Sequence, residues 1–156
     1  MKKTAIFDHA ASPKAMLPVA LATALLMRRR KGSGRLALGT SIAVLTEEIV
    51  KRLVSRRRPK LFFDPRRRSF PSGHSASSAA YLIGLALMAP RSFRRTALVF
   101  AGLSEVAINF LRVKEREHWI TDVMAGDFIG GLSVAGAHAV VAGMARTPMG
   151  AADPLT

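Results

Sequence analysis

Apolar and charged segments alternate along the chain. Each apolar stretch lacks a sustained period of two and is dominated by Ala and Leu, which predicts helices. Gly32 and Gly34 indicate a turn, and Pro90 is expected to end the third helix because proline removes a donor and clashes with the preceding turn. The five predicted helices cover Ala15–Met27, Leu36–Ile49, Ser75–Ala89, Thr96–Leu111 and Val123–Ala145.

This pattern predicts an all-α fold, a compact bundle of five to six helices. We expect one domain over residues 1–156, with a site-bearing core at about 36–145 and poorly ordered tails at 1–12 and 146–156. The start "MKKTAIF" is similar to the first part of a secretory signal, but no small-residue cleavage site follows the first apolar stretch. We therefore interpret that stretch as a retained helix.

The helices are close to the length that a membrane span needs, which is about 20 residues. Only the last apolar run is clearly long enough, and it contains Asp127 and His138. Two interpretations remain open: an integral bundle with its polar residues facing inward, or a bundle peripheral to the bilayer. The high apolar content and the short basic connections favour the integral bundle.

Charge narrows the possible partners. The chain has 24 Lys and Arg against 10 Asp and Glu, a formal net charge of +14, yet its mean hydropathy is +0.21. Basic loops facing phosphate headgroups explain this combination, whereas 6 % aromatic content argues against a nucleic-acid partner. The absence of cysteine excludes disulfides and thiolate metal sites.

Three short patterns carry candidate chemistry. Each has a plain explanation alone: a solvated charge run, a helix N-cap and a hydrogen-bonded surface pair four residues apart on a helix. The patterns are Lys51 with Arg58-Pro59, Pro71-Ser72-Gly73-His74, and Arg112 with His118 and Asp122.

Together the three patterns point to one site. In an up-and-down bundle, the end of the second and fourth helices and the start of the third and fifth fall on one face. The three patterns occupy those ends, while the opposite ends, at Arg28–Arg35 and Pro90–Arg95, carry charge but no histidine. We therefore expect an active site at one end of the bundle.

Phosphoryl transfer is the chemistry that suits such a cluster. Arg58 and Arg112 offer planar bidentate donors for phosphate, and Lys51 offers a point charge. The first-turn amides after Ser72 add an anion site, which Gly73 leaves open to close approach.

Two histidines then have separate tasks. His118, with Asp122 accepting from one ring nitrogen, would attack phosphorus through the other. His74 would protonate the leaving oxygen and later take a proton from water. No carboxylate cluster suitable for Mg²⁺ accompanies them, so we expect neither a metal nor another cofactor.

On these residues the sequence resembles the type-2 phosphatidic acid phosphatase family, which shares its site with bacterial class A acid phosphatases and vanadium haloperoxidases. The resemblance rests on "KRLVSRRRP", "PSGH" and "RVKEREHWITD". It implies a metal-independent phosphatase that works through a phosphohistidine. His118 would be the nucleophile, Asp122 would orient it and His74 would be the acid–base. The phosphate-binding positions of the family match Lys51, Arg58, Ser72, Gly73 and Arg112.

Two departures from the family pattern affect the site. Leu111 stands where relatives usually have a serine, which removes one hydrogen bond to phosphate. Glu115 and Glu117 lie where relatives tend to be small and apolar. Their carboxylates could repel substrate, or they could pair with Arg116 or with the Arg66–Arg68 run.

The resulting hypothesis is a lipid phosphatase in the bilayer, in the bacterial inner membrane. Its substrate would be a lipid phosphate such as phosphatidate, phosphatidylglycerol phosphate or a polyprenyl phosphate or diphosphate. Two alternatives remain: a non-catalytic membrane protein that binds anionic lipids, and a vanadate-dependent haloperoxidase. The sequence leaves the membrane leaflet and a homo-oligomeric state open.

Overall fold

The structure, a computed structural model, describes residues 12–59 and 68–145. Within these residues all regular elements are helices, so the predicted all-α fold is confirmed. The helices are α1 (Pro13–Leu26), α2 (Ser33–Leu53), α3 (Gly73–Leu87), α4 (Arg94–Lys114) and α5 (Ile120–Met144). The tails predicted at 1–12 and 146–156 lie outside the described residues, apart from Ser12.

The turns form where the sequence requires them. Gly32 caps α2 with a φ of 104°, a left-handed conformation that glycine adopts without the steric cost of a Cβ. Helix α3 ends at Leu87, three residues before Pro90, which cannot continue a helix. Helix α1 begins with Pro13 at its first position. Proline has no N–H, but an N–H at this position would have no partner within the helix, so no hydrogen bond is lost.

Helix α3 is the centre of the bundle and packs against all four other helices. Its side chains are small, and two glycines of α5 allow the backbones of α3 and α5 to approach closely. A Cβ on Gly126 would lie 2.6 Å from the carbonyl oxygen of Ser72, and a Cβ on Gly130 would lie 2.7 Å from the carbonyl oxygen of Ala76. Small residues that admit close backbone approach are typical of helix contacts inside membranes. The small residues of α3 therefore serve packing.

Within the described part of the chain, two helices, α4 and α5, are long and apolar enough to cross a membrane. The sequence pattern identified only the second as clearly long enough, because α4 reaches 21 residues only when its basic ends are included. Large apolar side chains on both helices are exposed outside the bundle, among them Phe100, Phe110 and Phe128. Exposed apolar surface of this extent is suited to contact with lipid.

Candidate active site

A cavity of about 440 Å³ lies at one end of the bundle. Five residues singled out from the sequence line it: Lys51, Arg58, Gly73, His74 and His118.

The other three lie beside it. The Ser72 amide donates to the Asp122 carbonyl oxygen at 3.0 Å, and the His118 amide approaches the Arg112 carbonyl oxygen at 3.3 Å. The structure thus brings all eight residues to the same end of the bundle.

The start of α3 is built for close approach. Ser72 is fully buried, and its hydroxyl oxygen accepts from the Ser75 amide at 3.3 Å, as an N-cap does. A Cβ on Gly73 would lie 2.5 Å from Oε1 of Glu47 and 2.8 Å from Cγ of Pro13. Only glycine at this position lets α1 and α2 come so near the N-terminus of α3.

His118 is held mainly by a backbone carbonyl. Its Nδ1 lies 2.8 Å from the Ser69 carbonyl oxygen and 3.7 Å from Oδ2 of Asp122, which is longer than a hydrogen bond. Both side chains are buried and α5 begins only at Ile120, so the plain explanation of a surface pair on a helix does not apply. A carbonyl can only accept, so Nδ1 carries the proton and Nε2 keeps its lone pair.

The surroundings of His118 favour the neutral ring. Burial lowers the pKa of its imidazole below the ordinary 6.5, and the positive charges of Arg58 and Lys51 act in the same direction, while Asp122 opposes them. The ring is only 3 % exposed. At neutral pH the imidazole is therefore uncharged, which is the form that can act as a nucleophile.

Asp122 is anchored by groups that the sequence did not single out. It is fully buried; its Oδ1 accepts from Arg56 at 2.9 Å, and its Oδ2 accepts from the Trp119 amide at 2.9 Å. The Arg56 guanidinium also lies 5.4 Å from the centre of the Trp119 ring. The sequence did not predict the contact between Arg56 and Asp122, because Arg56 is one of several arginines in a row.

Each cation predicted to bind phosphate is ion-paired with a carboxylate of the chain. The pairs are Lys51–Glu47 at 2.8 Å, Arg112–Glu115 at 2.7 Å and Arg58–Glu117. Glu115 and Glu117 were expected either to repel substrate or to pair with arginines. Both form ion pairs in the structure, and the partners shown are Arg112 and Arg58. Residues 60–67 of the basic run lie outside the described part of the chain.

A second cavity of about 400 Å³ adjoins the first and is mainly apolar. It lies among α1, α3 and α4, and His74 lines both cavities. Leu111 faces this second cavity. Its other lining residues include Met16, Tyr81, Leu82, Ile108 and Arg112.

Across residues 12–59 and 68–145, no group of three or more His, Cys, Asp or Glu side chains is arranged to hold a metal ion.

Membrane-length helices and a cavity lined by cations, carboxylates and two histidines fit a membrane hydrolase of phosphoric esters. Residues 32–145 match the family model described as the PAP2 superfamily. The chain belongs to this superfamily, as the three sequence patterns predicted, and the expected hydrolase class is confirmed.

A solved structure has the same fold. It is the crystal structure of the first transmembrane PAP2 type phosphatidylglycerolphosphate phosphatase from Bacillus subtilis, with a TM-score of 0.74 and 21 % sequence identity. The match covers 88 % of this chain and 74 % of that one. A comparison with curated protein sequences gives no significant match.

Proposed function

We propose that the chain hydrolyses a lipid phosphate monoester or diphosphate through a phosphohistidine intermediate, without a metal. The observation that carries the proposal is the position of His74 between two cavities: the more polar one, lined by several charged side chains, and a mainly apolar one. An amphiphile fits this arrangement, with its phosphate beside Lys51, Arg58 and His118 and the start of its hydrocarbon tail in the apolar cavity.

Three cations and the N-terminus of α3 bind the phosphate. Arg58 and Arg112 contribute paired N–H donors and Lys51 a compact charge. The first amides of α3, after Ser72 and Gly73, add donors at the positive end of the helix. Together they neutralise the charge that develops on the transferred phosphoryl group.

The reaction then proceeds in two displacements. Nε2 of His118 attacks phosphorus while its Nδ1–H stays bonded to the Ser69 carbonyl, and the bond from phosphorus to the lipid oxygen breaks. His74 gives its proton to that leaving oxygen. A water molecule then loses a proton to His74 and attacks the phosphohistidine, which releases inorganic phosphate and restores His118.

Several lipid phosphates meet these requirements: phosphatidate, phosphatidylglycerol phosphate, and polyprenyl phosphates or diphosphates. The structural neighbour is described as a phosphatidylglycerolphosphate phosphatase. We favour a prenyl phosphate or another simple lipid phosphate, because a cavity of about 440 Å³ leaves little room for an elaborate headgroup. We further propose that the protein resides in the bacterial inner membrane.

The test is phosphate release from a panel of these lipids in the presence of EDTA. Wild type should turn over at least one of them, and His118→Ala should lose essentially all activity. When the phosphate of the substrate is labelled and the reaction is stopped after a short time without acid, labelled phosphate should remain attached to the wild-type protein and not to His118→Ala.

His138→Ala is the matched control, because His138 lies in α5 near Arg35 and Arg94, away from the cavity. It should retain wild-type activity. Binding of acidic lipids by both wild type and His118→Ala, with no phosphate release from any substrate, would replace the proposal with the non-catalytic alternative.

A further inference from the structure

Two glutamates in one short connection engage the two arginines of the candidate phosphate site. Glu115 caps the end of α4, and Glu117 lies two residues later. Glu115 pairs with Arg112 at 2.7 Å, and Glu117 pairs with Arg58. Both carboxylates therefore hold donors that a phosphate would use.

The backbone of this connection directs both side chains to the site. Arg116, between the two glutamates, has a φ of 55°, a left-handed conformation that is uncommon for a residue with a Cβ. The amides of Glu117 and His118 both turn back to the Arg112 carbonyl oxygen, at 3.1 and 3.3 Å. This turn reverses the chain so that Glu115 and Glu117 can reach arginines from different elements.

The pairs are partly shielded from water. The side chains of Arg112 and Glu115 are 5 % and 22 % exposed, and those of Arg58 and Glu117 are 23 % and 13 % exposed. Partly buried pairs are screened less by salt than surface pairs. Each carboxylate occupies one terminal nitrogen of its arginine, Nη2 of Arg112 and Nη1 of Arg58. A phosphate that binds through those nitrogens competes with a carboxylate that remains tethered to the site.

We propose that Glu115 and Glu117 are built-in competitors for the phosphate-binding arginines and thereby set the affinity of the site. This inference rests on the function proposed above. The carboxylates oppose substrate and product alike, because lipid phosphate and inorganic phosphate need the same N–H donors. They weaken ground-state binding and help inorganic phosphate to leave, so the site does not remain blocked by its product.

The carboxylates compete equally with the substrate, the transition state and the product. Removing this competition should lower KM for the lipid phosphate and the inhibition constant of inorganic phosphate by the same factor, without raising kcat. Glutamine keeps the shape of glutamate and removes its charge. For Glu115→Gln and Glu117→Gln we expect each constant to fall about fivefold, the factor that corresponds to one partly exposed ion pair.

Glu48→Gln is the matched control. Glu48 lines the same cavity, but its carboxylate pairs with the exposed Arg52 at 3.2 Å and with neither site arginine. Glu48→Gln therefore removes the same formal charge beside the phosphate without releasing a site arginine, and KM and the phosphate inhibition constant should fall by no more than about twofold.

The outcomes separate this inference from the proposed function. Unchanged or increased KM in Glu115→Gln and Glu117→Gln, in protein whose wild type turns over, would overturn the competitor role and leave the phosphatase intact. A fall in KM without a parallel fall in the inhibition constant of inorganic phosphate would also overturn it. If wild type itself releases no phosphate, the proposed function fails first. Thermal unfolding in detergent identifies any variant that has lost its fold.

Discussion

Arg56 is the part of the site whose importance can be tested most directly. Its guanidinium donates to the fully buried carboxylate of Asp122, donates to the Thr121 hydroxyl and stacks on Trp119. Since Arg56 does not line the polar cavity, its effect on phosphate must pass through Asp122 and the connection that carries His118. We infer that it is a positioning residue.

The structure sets the size of the effect for Arg56→Ala. A hydrogen bond to a charged group contributes about 1.5–3 kcal/mol, and an exposed cation–π contact adds about 0.5–1 kcal/mol. The Arg56 side chain is 38 % exposed, so water can replace part of the lost bond. We therefore expect a loss of about 1–2 kcal/mol in stability and a fall of about tenfold in kcat, with KM changed much less.

Arg52→Ala is the control for this prediction, and Arg56→Lys is the graded variant. The Arg52 side chain is 75 % exposed and pairs with Glu48 on the surface, where an ion pair contributes at most about 1 kcal/mol. Arg56→Lys keeps the charge but lacks the planar fork, so it should fall between wild type and Arg56→Ala. Steady-state phosphate release and thermal unfolding in one detergent supply the readouts.

Two results would refute the reasoning. If Arg56→Ala and Arg52→Ala lower kcat and the unfolding temperature equally, the contact with Asp122 contributes nothing special. If Arg56→Ala raises KM and leaves kcat intact, Arg56 binds substrate and does not position the catalytic groups.

Three further predictions follow from the same geometry. Burial lowers the pKa of His118 below 6.5, so the neutral nucleophile persists as the pH falls through 6.5. The acid limb of kcat/KM should therefore lie below that pH; a limb above it would contradict the assignment. Gly126→Ala places a Cβ 2.6 Å from the Ser72 carbonyl oxygen and should destabilise the protein by about 1–3 kcal/mol. Gly131→Ala meets no atom within 4 Å and should not destabilise it. Equal unfolding temperatures of the two variants would refute this prediction. EDTA should leave the rate of phosphate release unchanged, and restoration of a lost rate by Mg²⁺ would show a metal requirement.

Much of the fold could be predicted because helix-forming segments are local features. Apolar stretches and their Gly and Pro boundaries located all five helices, with ends that differ from the structure by one to a few residues. The meeting of Lys51, Ser72, Arg112 and Asp122 at one end followed from alternating helix direction alone.

The contacts that support the catalytic groups could not be predicted in this way. The partner of Nδ1 of His118 is the carbonyl of Ser69, and every residue has a carbonyl, so sequence gives no hint of which one is used. The choice of Arg56 among the neighbouring arginines depends on how the segment after α2 passes α5. The pairing of Glu117 with Arg58 joins positions 59 residues apart and depends on the turn at Arg116.

The attachment of α4 determines how firmly Arg112 is held in register. Helix α4 packs mainly on α3, and it is joined there by bonds from Ser78 to Glu105 at 2.9 Å and from Ser75 to Asn109 at 2.6 Å.

Glu105, Asn109 and Arg112 recur on one face of α4 at helical spacing. A slide of α4 along α3 by one turn, about 5.4 Å, would break both bonds together in surroundings where few waters can replace them. Any such motion must therefore break one buried and one partly buried hydrogen bond at once, and these bonds keep Arg112 in register with the start of α3.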